Sequence, residues 1–485
     1  MVHVIPVSIK CHKPGGTEIR HKNGHYYVYR VEGYYDKETK KSKSRSLGCI
    51  GKIYEGLGFV PNKKDAEPVE YITKEYGATR IVMASSQDIF EKLKECFPTD
   101  FIRIYVMAVL KLLGNLPSKD MGVAYTKSAI SALLPEVHLS KNTVPSFLSK
   151  LSLYRSGMLK FMREYANCDG GAVIFDGSSF ISGARLNPFC EKGYSPGHIG
   201  KSQIRLIYAY SREKRMPIYF LVAPGGMSDK TAFETALDEI GVKGCLIILD
   251  KGFFSAKNIS LIEGTDFILP LMKNTALVSN ELKKFAAYER VLNNCFSYHK
   301  RLIYYTEIAQ RKFAGCKVYV YYDNERRQYL MENYMKKKQD KDGLIPDDLM
   351  SQVVADTECF GVTMLLAKSD ASAKDTYLNY KTRWEIEDMF DSHKNTLGFD
   401  MKYETSYSAQ EGWAFIEFLA LLIYHKVNGI LMESGLIKRF NVKDILFRAS
   451  TITQSKASGS WKVCNLTKPL KDILNSLNVS IEIMT

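Results

Sequence analysis

GAVIFDGSSF (171–180) is an apolar run between glycines, closed by Asp176 and followed by small residues. Such a run reads as a strand buried on both faces. Downstream, QIRLIYAYS (203–211) and PIYFLVAP (217–224) flank the turn-like REKR, which predicts three consecutive antiparallel strands. DKTAFETALDEIG (229–241) then has helical spacing. CLIILD (245–250) is a second buried run, closed by Asp250; SAKNISLIEG (255–264) is another helix and FILPLM (267–272) a fifth strand. This order predicts an α/β fold with a mixed five-stranded sheet, and by analogy it is that of an RNase H-like domain, which carries acidic residues at adjacent strand ends.

Further on, RLIYYTEIAQ (301–310) and CKVYVYYDNE (316–325) predict a second strand pair, followed by the polar helix-like ENYMKKKQDKDG (332–343). FGVTMLLAKS (360–369) returns to a buried strand, so residues 281–359 read as a β-rich subdomain inserted in the catalytic fold. SAKDTYLNYKTRWEIEDMFDSHKNTLG (372–398) reads as one long helix, capped by Ser372 with Asp375 and stopped by Gly398. At about 100° per residue, Ile386, Phe390, His393 and Leu397 form a core-facing stripe, with Tyr380, Arg383, Glu387 and Lys394 on one ridge beside it. SAQEGWAFIEFLALLIYHKVNGIL (408–431) is a core helix with Ser408 and Glu411 as its capping box; its apolar run Trp413–Tyr424 is too short to cross a bilayer.

Towards the amino terminus, HYYVYRVEGYY (25–35) and KSKSRSLGCI (41–50) flank DKETK as a β-hairpin, with Tyr27, Tyr29 and Val31 on one face. Tyrosines among lysines suit DNA contact, and a hairpin packed on the next domain is the alternative. SSQDIFEKLKECF (85–97) and FIRIYVMAVLKLLG (101–114) are helical, while TKSAISALLP (126–135) and LSKNTVPSFLSKLS (139–152) have the spacing of a helix-turn-helix or of a packed helical hairpin. The expected division is therefore a basic N-terminal region (1–85), a helical, possibly DNA-binding domain (86–168), a catalytic domain (169–280 and 360–435), the insertion (281–359) and a basic C-terminal tail (436–485).

The 485 residues carry 45% hydrophobic and 25% charged side chains, as in globular proteins, with a net charge of +14. The first fifty contribute ten Lys or Arg against four Asp or Glu. The excess suggests a polyanionic partner, nucleic acid before an acidic membrane. Ten scattered cysteines without a CxxC pair fit neither a disulfide framework nor a zinc ribbon, and the simplest compartment is a reducing cytoplasm. No signal-peptide layout opens the chain.

Asp176 and Asp250 close two buried strands, and Glu387 shares its ridge with a guanidinium, an ammonium and a phenol. Acidic strand ends also occur as caps, and Arg383 with Glu387 is also an ordinary i,i+4 pair. If the three carboxylates converge, they suit Mg²⁺, an oxygen-seeking ion that keeps open positions for water and phosphate. Two such ions about 3.5–4 Å apart activate a water or a 3′-hydroxyl and stabilise the leaving oxygen. No Ser/His/Asp or Cys/His set of comparable order is present, and no P-loop follows PGG (224–226).

The spacing Y-x2-R-x3-E-x6-K at Tyr380, Arg383, Glu387 and Lys394, with Trp384 after the arginine, resembles the signature of bacterial DDE transposases of the insertion-sequence-four type. FDGSSF (175–180) and LDKGF (249–253) are similar to that family's two aspartate regions. GHIGKSQ (197–203) and PGGMSDKTAF (224–233) resemble further stretches of those enzymes, with Gly226 where Asn is expected. The long interval between Asp250 and Glu387 is similar to the family's β-strand insertion, and the resemblance covers most of the chain. It implies that Asp176, Asp250 and Glu387 bind two Mg²⁺ or Mn²⁺ ions, and that Tyr380, Arg383 and Lys394 hold DNA phosphates. Asp391 stands where some relatives carry a basic residue. The implied activity is cut-and-paste transposition by a homodimer near the bacterial nucleoid: cleavage at the terminal inverted repeats of an insertion sequence, then strand transfer to target DNA. Some relatives form a hairpin with a flipped base held by an insertion tryptophan; here the tryptophans are Trp384, Trp413 and Trp461. A metal-dependent nuclease without strand transfer and a non-catalytic DNA-binding protein are the competing readings.

Overall fold

The computed structural model describes residues 4–62, 72–166, 170–184, 186–193, 199–241, 244–272, 294–309, 313, 315–338, 349–398, 401–402, 404, 406–457 and 460–481. The chain forms two compact units, one of Met1–Thr73 with Ser455–Lys462 and one of Lys74–Gln454 with Val463–Met484.

In the first unit, β1 (Thr17–Lys22), β2 (His25–Asp36), β3 (Lys41–Tyr54) and β4 (Gly58–Pro61) form an antiparallel sheet in that order. Ile9, Ile19, Val28 and Ile53 make its small core. The expected hairpin is present, but its buried face is that of Val28. Tyr27 and Tyr29 lie half-exposed on the other side, beneath Lys52 and Arg20 respectively. β1 and β4 pair only with the base of the hairpin, so 32–36 and 41–45 pair solely with each other as a two-stranded ribbon.

The second unit is built on a large mixed sheet. Its strands are β5 (Ala172–Ser182), β6 (Ser202–Ser211), β7 (Met216–Pro224), β8 (Leu246–Leu249), β9 (Phe267–Pro270), β10 (Cys295–Tyr298), β11 (Arg301–Ala309), β12 (Lys317–Asp323) and β13 (Val362–Lys368). They lie in the order β10-β11-β12-β13-β9-β8-β5-β6, with β7 on β6 and two-residue strands at Glu191–Lys192 and Met401–Lys402. β8 is parallel to β5 and β9; β13 runs antiparallel to β9. Among the described residues the sheet has eleven strands where five were expected. The expected insertion strands are not a separate sheet: β10–β12 extend the same one beyond β13. Of the polar run 332–343, residues through Lys338 end a helix, and 339–343 lie outside the described residues.

The sheet separates two apolar clusters, and β12 shows why. Val318 and Val320 join the larger cluster while Tyr319 and Tyr321 join one with Phe296 and Tyr377, as strand alternation requires. The larger cluster takes in α1 (Phe101–Gly114), α2 (Thr143–Ser152) and the sheet. Each such fully buried side chain contributes about 1.5–3 kcal/mol. Of the two segments with helix-turn-helix or helical-hairpin spacing, the first includes a helix over Ile130–Leu133, and α2 in the second buries Val144, Phe147, Leu148 and Leu151. Gly412 lets α2 approach, since a Cβ there would stand 2.2 Å from the Leu148 carbonyl.

α3 (Asp229–Ile240) and α4 (Ala256–Leu261) follow as read. The expected single helix over 372–398 is broken into α5 (Ala373–Lys381), α6 (Trp384–Asp391) and a wide π turn over Ser392–Thr396. α7 (Tyr407–Glu433) is capped by Ser406, whose hydroxyl accepts from Ala409 N–H, rather than by Ser408. By length and composition this 27-residue helix could cross a membrane, but 67% of its most apolar stretch is buried within the fold. The expected C-terminal tail is folded: Val442–Ala449 and Lys468–Ser476 are helices, and Ile445, Leu474 and Leu477 join the larger cluster.

Candidate active site

β5 and β8 run parallel with Phe175 opposite Leu249, so the next residues of the two strands, Asp176 and Asp250, are neighbours. β8 ends there while β5 continues along β6 to Ile181, so Asp176 lies within its strand rather than at its end. Because the two strands run the same way in register, the end of β8 falls beside the middle of β5, and side chains 74 residues apart meet.

Glu387 arrives from the interrupted helix. The Ser372 hydroxyl accepts from Asp375 N–H at 3.1 Å and starts α5. At its end, the Thr382 hydroxyl donates to the Asn379 carbonyl at 2.7 Å, and i→i+3 bonds tighten the backbone through Ile386. The π turn then loosens it: Leu397 N–H reaches back to the Ser392 carbonyl. Gly398, at φ +67°, closes the segment against Asn115. Ile386, Phe390, His393 and Leu397 are all buried. His393 lies 4.0 Å from Glu417 of α7, and Glu417 lies 3.6 Å from Lys111 of α1, a fully buried set of ionisable groups beneath the turn.

The wheel's ridge survives only in part. The Arg383 guanidinium lies 3.4 Å from Asp176, 3.5 Å from Asp250 and in direct contact with Glu387. Arg383 thus makes the ordinary i,i+4 pair with Glu387 and also reaches the two strand carboxylates. Burial raises the phenol pKa of Tyr380, with the neighbouring Arg383 opposing. Lys394, displaced by the π turn, donates to the Ser178 hydroxyl at 2.5 Å and the Ser179 carbonyl at 3.0 Å. It is thus fastened to β5, two residues from Asp176. Asp391 is exposed, on the side of α6 that lines a cleft of about 1020 Å³ with Trp384, Glu385 and Asp388.

Burial, and after it the adjacent Asp250, pushes the Asp176 carboxyl up to about 7, with Arg383 opposing. Arg383 is penalised by burial, yet Asp250, Tyr380, Asp176 and Glu387 outweigh this and its pKa is raised. A pair of close carboxylates with one resisting ionisation suits a divalent cation, which oxygen ligands hold and which relieves the repulsion. Among the described residues, no three His, Cys, Asp or Glu side chains are grouped closely enough to hold an ion as they stand, since Glu387 faces Arg383. The aspartate pair fits the chemistry of a divalent metal.

One pair beside the site was not singled out from sequence. Asp229, at the start of α3, accepts from Arg205 of β6 through both oxygens, at 2.5 and 2.6 Å. The available signal was Arg205 itself, the single charge in the otherwise apolar or neutral run 202–211. In GHIGKSQ (197–203), residues 197–198 lie outside the described residues.

No curated protein matches the chain. Among solved structures, the cryo-EM structure of a piggyBac transposase synaptic complex with hairpin DNA is similar at a TM-score of 0.41 and 12% identity, over 77% of this chain and 76% of that one. The family model for the transposase DDE domain matches residues 169–423, more than half the chain, from just before β5 into α7. That span takes in Asp176, Asp250 and Glu387 and all the elements that carry them, and the chain belongs to the transposase DDE-domain family.

Proposed function

We propose that this protein is a cut-and-paste DNA transposase of the insertion-sequence-four type, with an RNase H-like catalytic fold interrupted by an insertion. It cleaves the ends of its element and joins the 3′ ends to target DNA as a homodimer. The observation that carries this reading is the convergence of Asp176, Asp250 and Glu387 on one guanidinium from three separate elements.

Asp176, Asp250 and Glu387 hold two Mg²⁺ or Mn²⁺ ions, which when bound activate the attacking hydroxyl and stabilise the leaving oxygen. Arg383 exchanges carboxylates for a DNA phosphate oxygen, for which its planar fork is suited. Tyr380 orients that guanidinium, and Lys394 contributes a point charge beside β5. The N-terminal ribbon, with Lys37, Lys40, Lys41, Lys43 and Arg45, grips the duplex, since a two-stranded ribbon fits a major groove.

The test is a labelled duplex carrying the inverted repeats that flank the gene, incubated with protein, Mg²⁺ and a target plasmid. The reading expects cleavage at the repeat and joined product. Cleavage without joined product would identify a nuclease, and binding with neither would identify a non-catalytic DNA-binding protein. Replacing the five ribbon cations with Gln should weaken binding and flatten its salt dependence, because each phosphate contact contributes about −0.9 to the slope.

A further inference from the structure

Asp229 is inserted between β5 just past Asp176 and the turn just past Asp250. Gly177 directly follows Asp176, and a Cβ on it would stand 2.4 Å from one Asp229 oxygen. Gly252 lies two residues after Asp250, and a Cβ there would stand 2.9 Å from the other. No side chain fits at either position while Asp229 stays. The carboxylate cannot turn away, because Arg205 grips both oxygens in a bidentate fork and both partners are mostly buried. Arg205 belongs to β6, which pairs directly with β5, and its partner residue there is Ser179. The pair therefore ties together the β6 strand, the start of α3 and the two aspartate-bearing backbones.

We propose that Asp229, locked by Arg205, is a positioning residue that sets the spacing between Asp176 and Asp250 by seating the backbones of Gly177 and Gly252 against its two oxygens. The inference rests on the catalytic reading for its consequence, while the seating itself belongs to the protein without DNA or metal. Asp229 touches neither DNA nor the reacting atoms in this role. It acts through two glycines whose missing Cβ atoms leave room for the carboxylate, with Ile207 Cδ1 also closing that space at Gly177, 2.7 Å from a Cβ there.

Two kinds of measurement separate this role from plain support of α3. Hydrogen exchange of the unliganded protein should accelerate in peptides covering 175–179 and 250–254 in Asp229→Ala. Ser228→Ala, which removes the α3 cap bond to Thr231 N–H, should accelerate only the helix. Cleavage of the element end at saturating DNA should fall by about 10²-fold in Asp229→Ala, as for a misplaced catalytic group, with DNA affinity held within about twofold. Asp229→Asn keeps one acceptor for Arg205 and should retain more activity. Gly252→Ala should be damaging alone, and Gly252→Ala with Asp229→Ala should cleave better than the two single losses multiplied, since the methyl fills the vacated space.

Unchanged exchange in both peptides, or an Asp229→Ala protein no more impaired than Ser228→Ala, would overturn the proposal. So would strict additivity of the double variant. Altered exchange together with a wild-type protein that cleaves no element end would leave the seating intact and overturn the catalytic reading instead.

Discussion

Asp323 and Asp250 both close buried strands of the same sheet, one in its antiparallel part and one in its parallel part. Asp323 is 4% exposed, bound by Arg301 at 2.8 Å, and caps the following helix by accepting from Arg326 N–H at 2.9 Å. Its charge is matched one to one. Asp250 lies beside Asp176, and the two share Arg383 with Glu387. Three carboxylates thus divide one guanidinium. An antiparallel neighbour brings the opposite end of its strand to an edge, whereas β8 runs parallel to β5 and ends beside Asp176. Both arrangements begin as an aspartate after an apolar run; strand direction decides which one becomes a cap and which a candidate metal ligand.

The largest expected effect breaks this comparison at the charge itself. Asp250→Asn and Glu387→Gln should each abolish Mg²⁺-dependent nicking of a labelled element end, a loss of about 10³-fold or more if metal stabilisation is worth several kcal/mol. Affinity for the end should persist. Asp323→Asn should nick at close to the wild-type rate per folded molecule. Nicking by Asp250→Asn at the wild-type rate would remove it from the ligand set.

Arg383 sharpens the comparison, because it gathers the three carboxylates and, under the proposed function, exchanges them for a DNA phosphate. Arg383→Ala should reduce cleavage through the bound end, by about 1.5–3 kcal/mol for a lost charged hydrogen bond, roughly tenfold to a hundredfold. Lys394→Arg should retain more function than Arg383→Lys, since Lys394 acts as a point charge and Arg383 as a fork. Rates measured across a DNA titration separate the two. Normal cleavage by Arg383→Ala would reduce that arginine to its i,i+4 pair with Glu387.

Much of this was legible before any coordinates, for physical reasons. A strand buried on both faces leaves a continuous apolar run, so β5, β8 and β9 stood out, and Asp176 and Asp250 with them. The helical stripe of Ile386, Phe390, His393 and Leu397 marked which side of 372–398 faces the core. Strand order was not legible, because pairing of β12 with β13 depends on backbone bonds between distant segments. The break at Thr382 was hidden as well: a threonine hydroxyl competing for the Asn379 carbonyl leaves the apolar spacing unchanged. That break and the π turn moved Lys394 onto Ser178, which a single 100° wheel could not show. In the C-terminal fifty residues, elements of five to nine residues are too short for periodicity to separate them from a basic tail.

A stability measurement extends the comparison to Asp323. Asp323→Ala removes one partner of a mostly buried ion pair together with a helix cap, and should cost about 2–4 kcal/mol in denaturant unfolding. Asp250→Asn relieves a crowd of like charges and should cost far less. Equal losses would mean that the two aspartates are alike in their neutralisation after all.

The last effect is a slope with pH, and its sign is opposite to that of a salt-bridged aspartate. Asp176 is held up to about 7, first by burial and then by Asp250, against an ordinary value near 3.8. Between those two values the folded protein keeps a proton that the unfolded chain has released. Stability from this group is therefore fully present below about pH 4 and lost as pH rises through about 7, with a slope of at most about 1.4 kcal/mol per pH unit for one proton. The measurement is chemical unfolding at intervals from pH 4 to 8 in chelator, wild type against Asp176→Asn, so that all other titrating groups cancel in the difference. The difference should slope downward with pH in chelator and flatten in millimolar Mg²⁺, where the cation replaces the proton. A difference that rises with pH would mean that Arg383 outweighs burial and Asp250, and that Asp176 is neutralised as fully as Asp323.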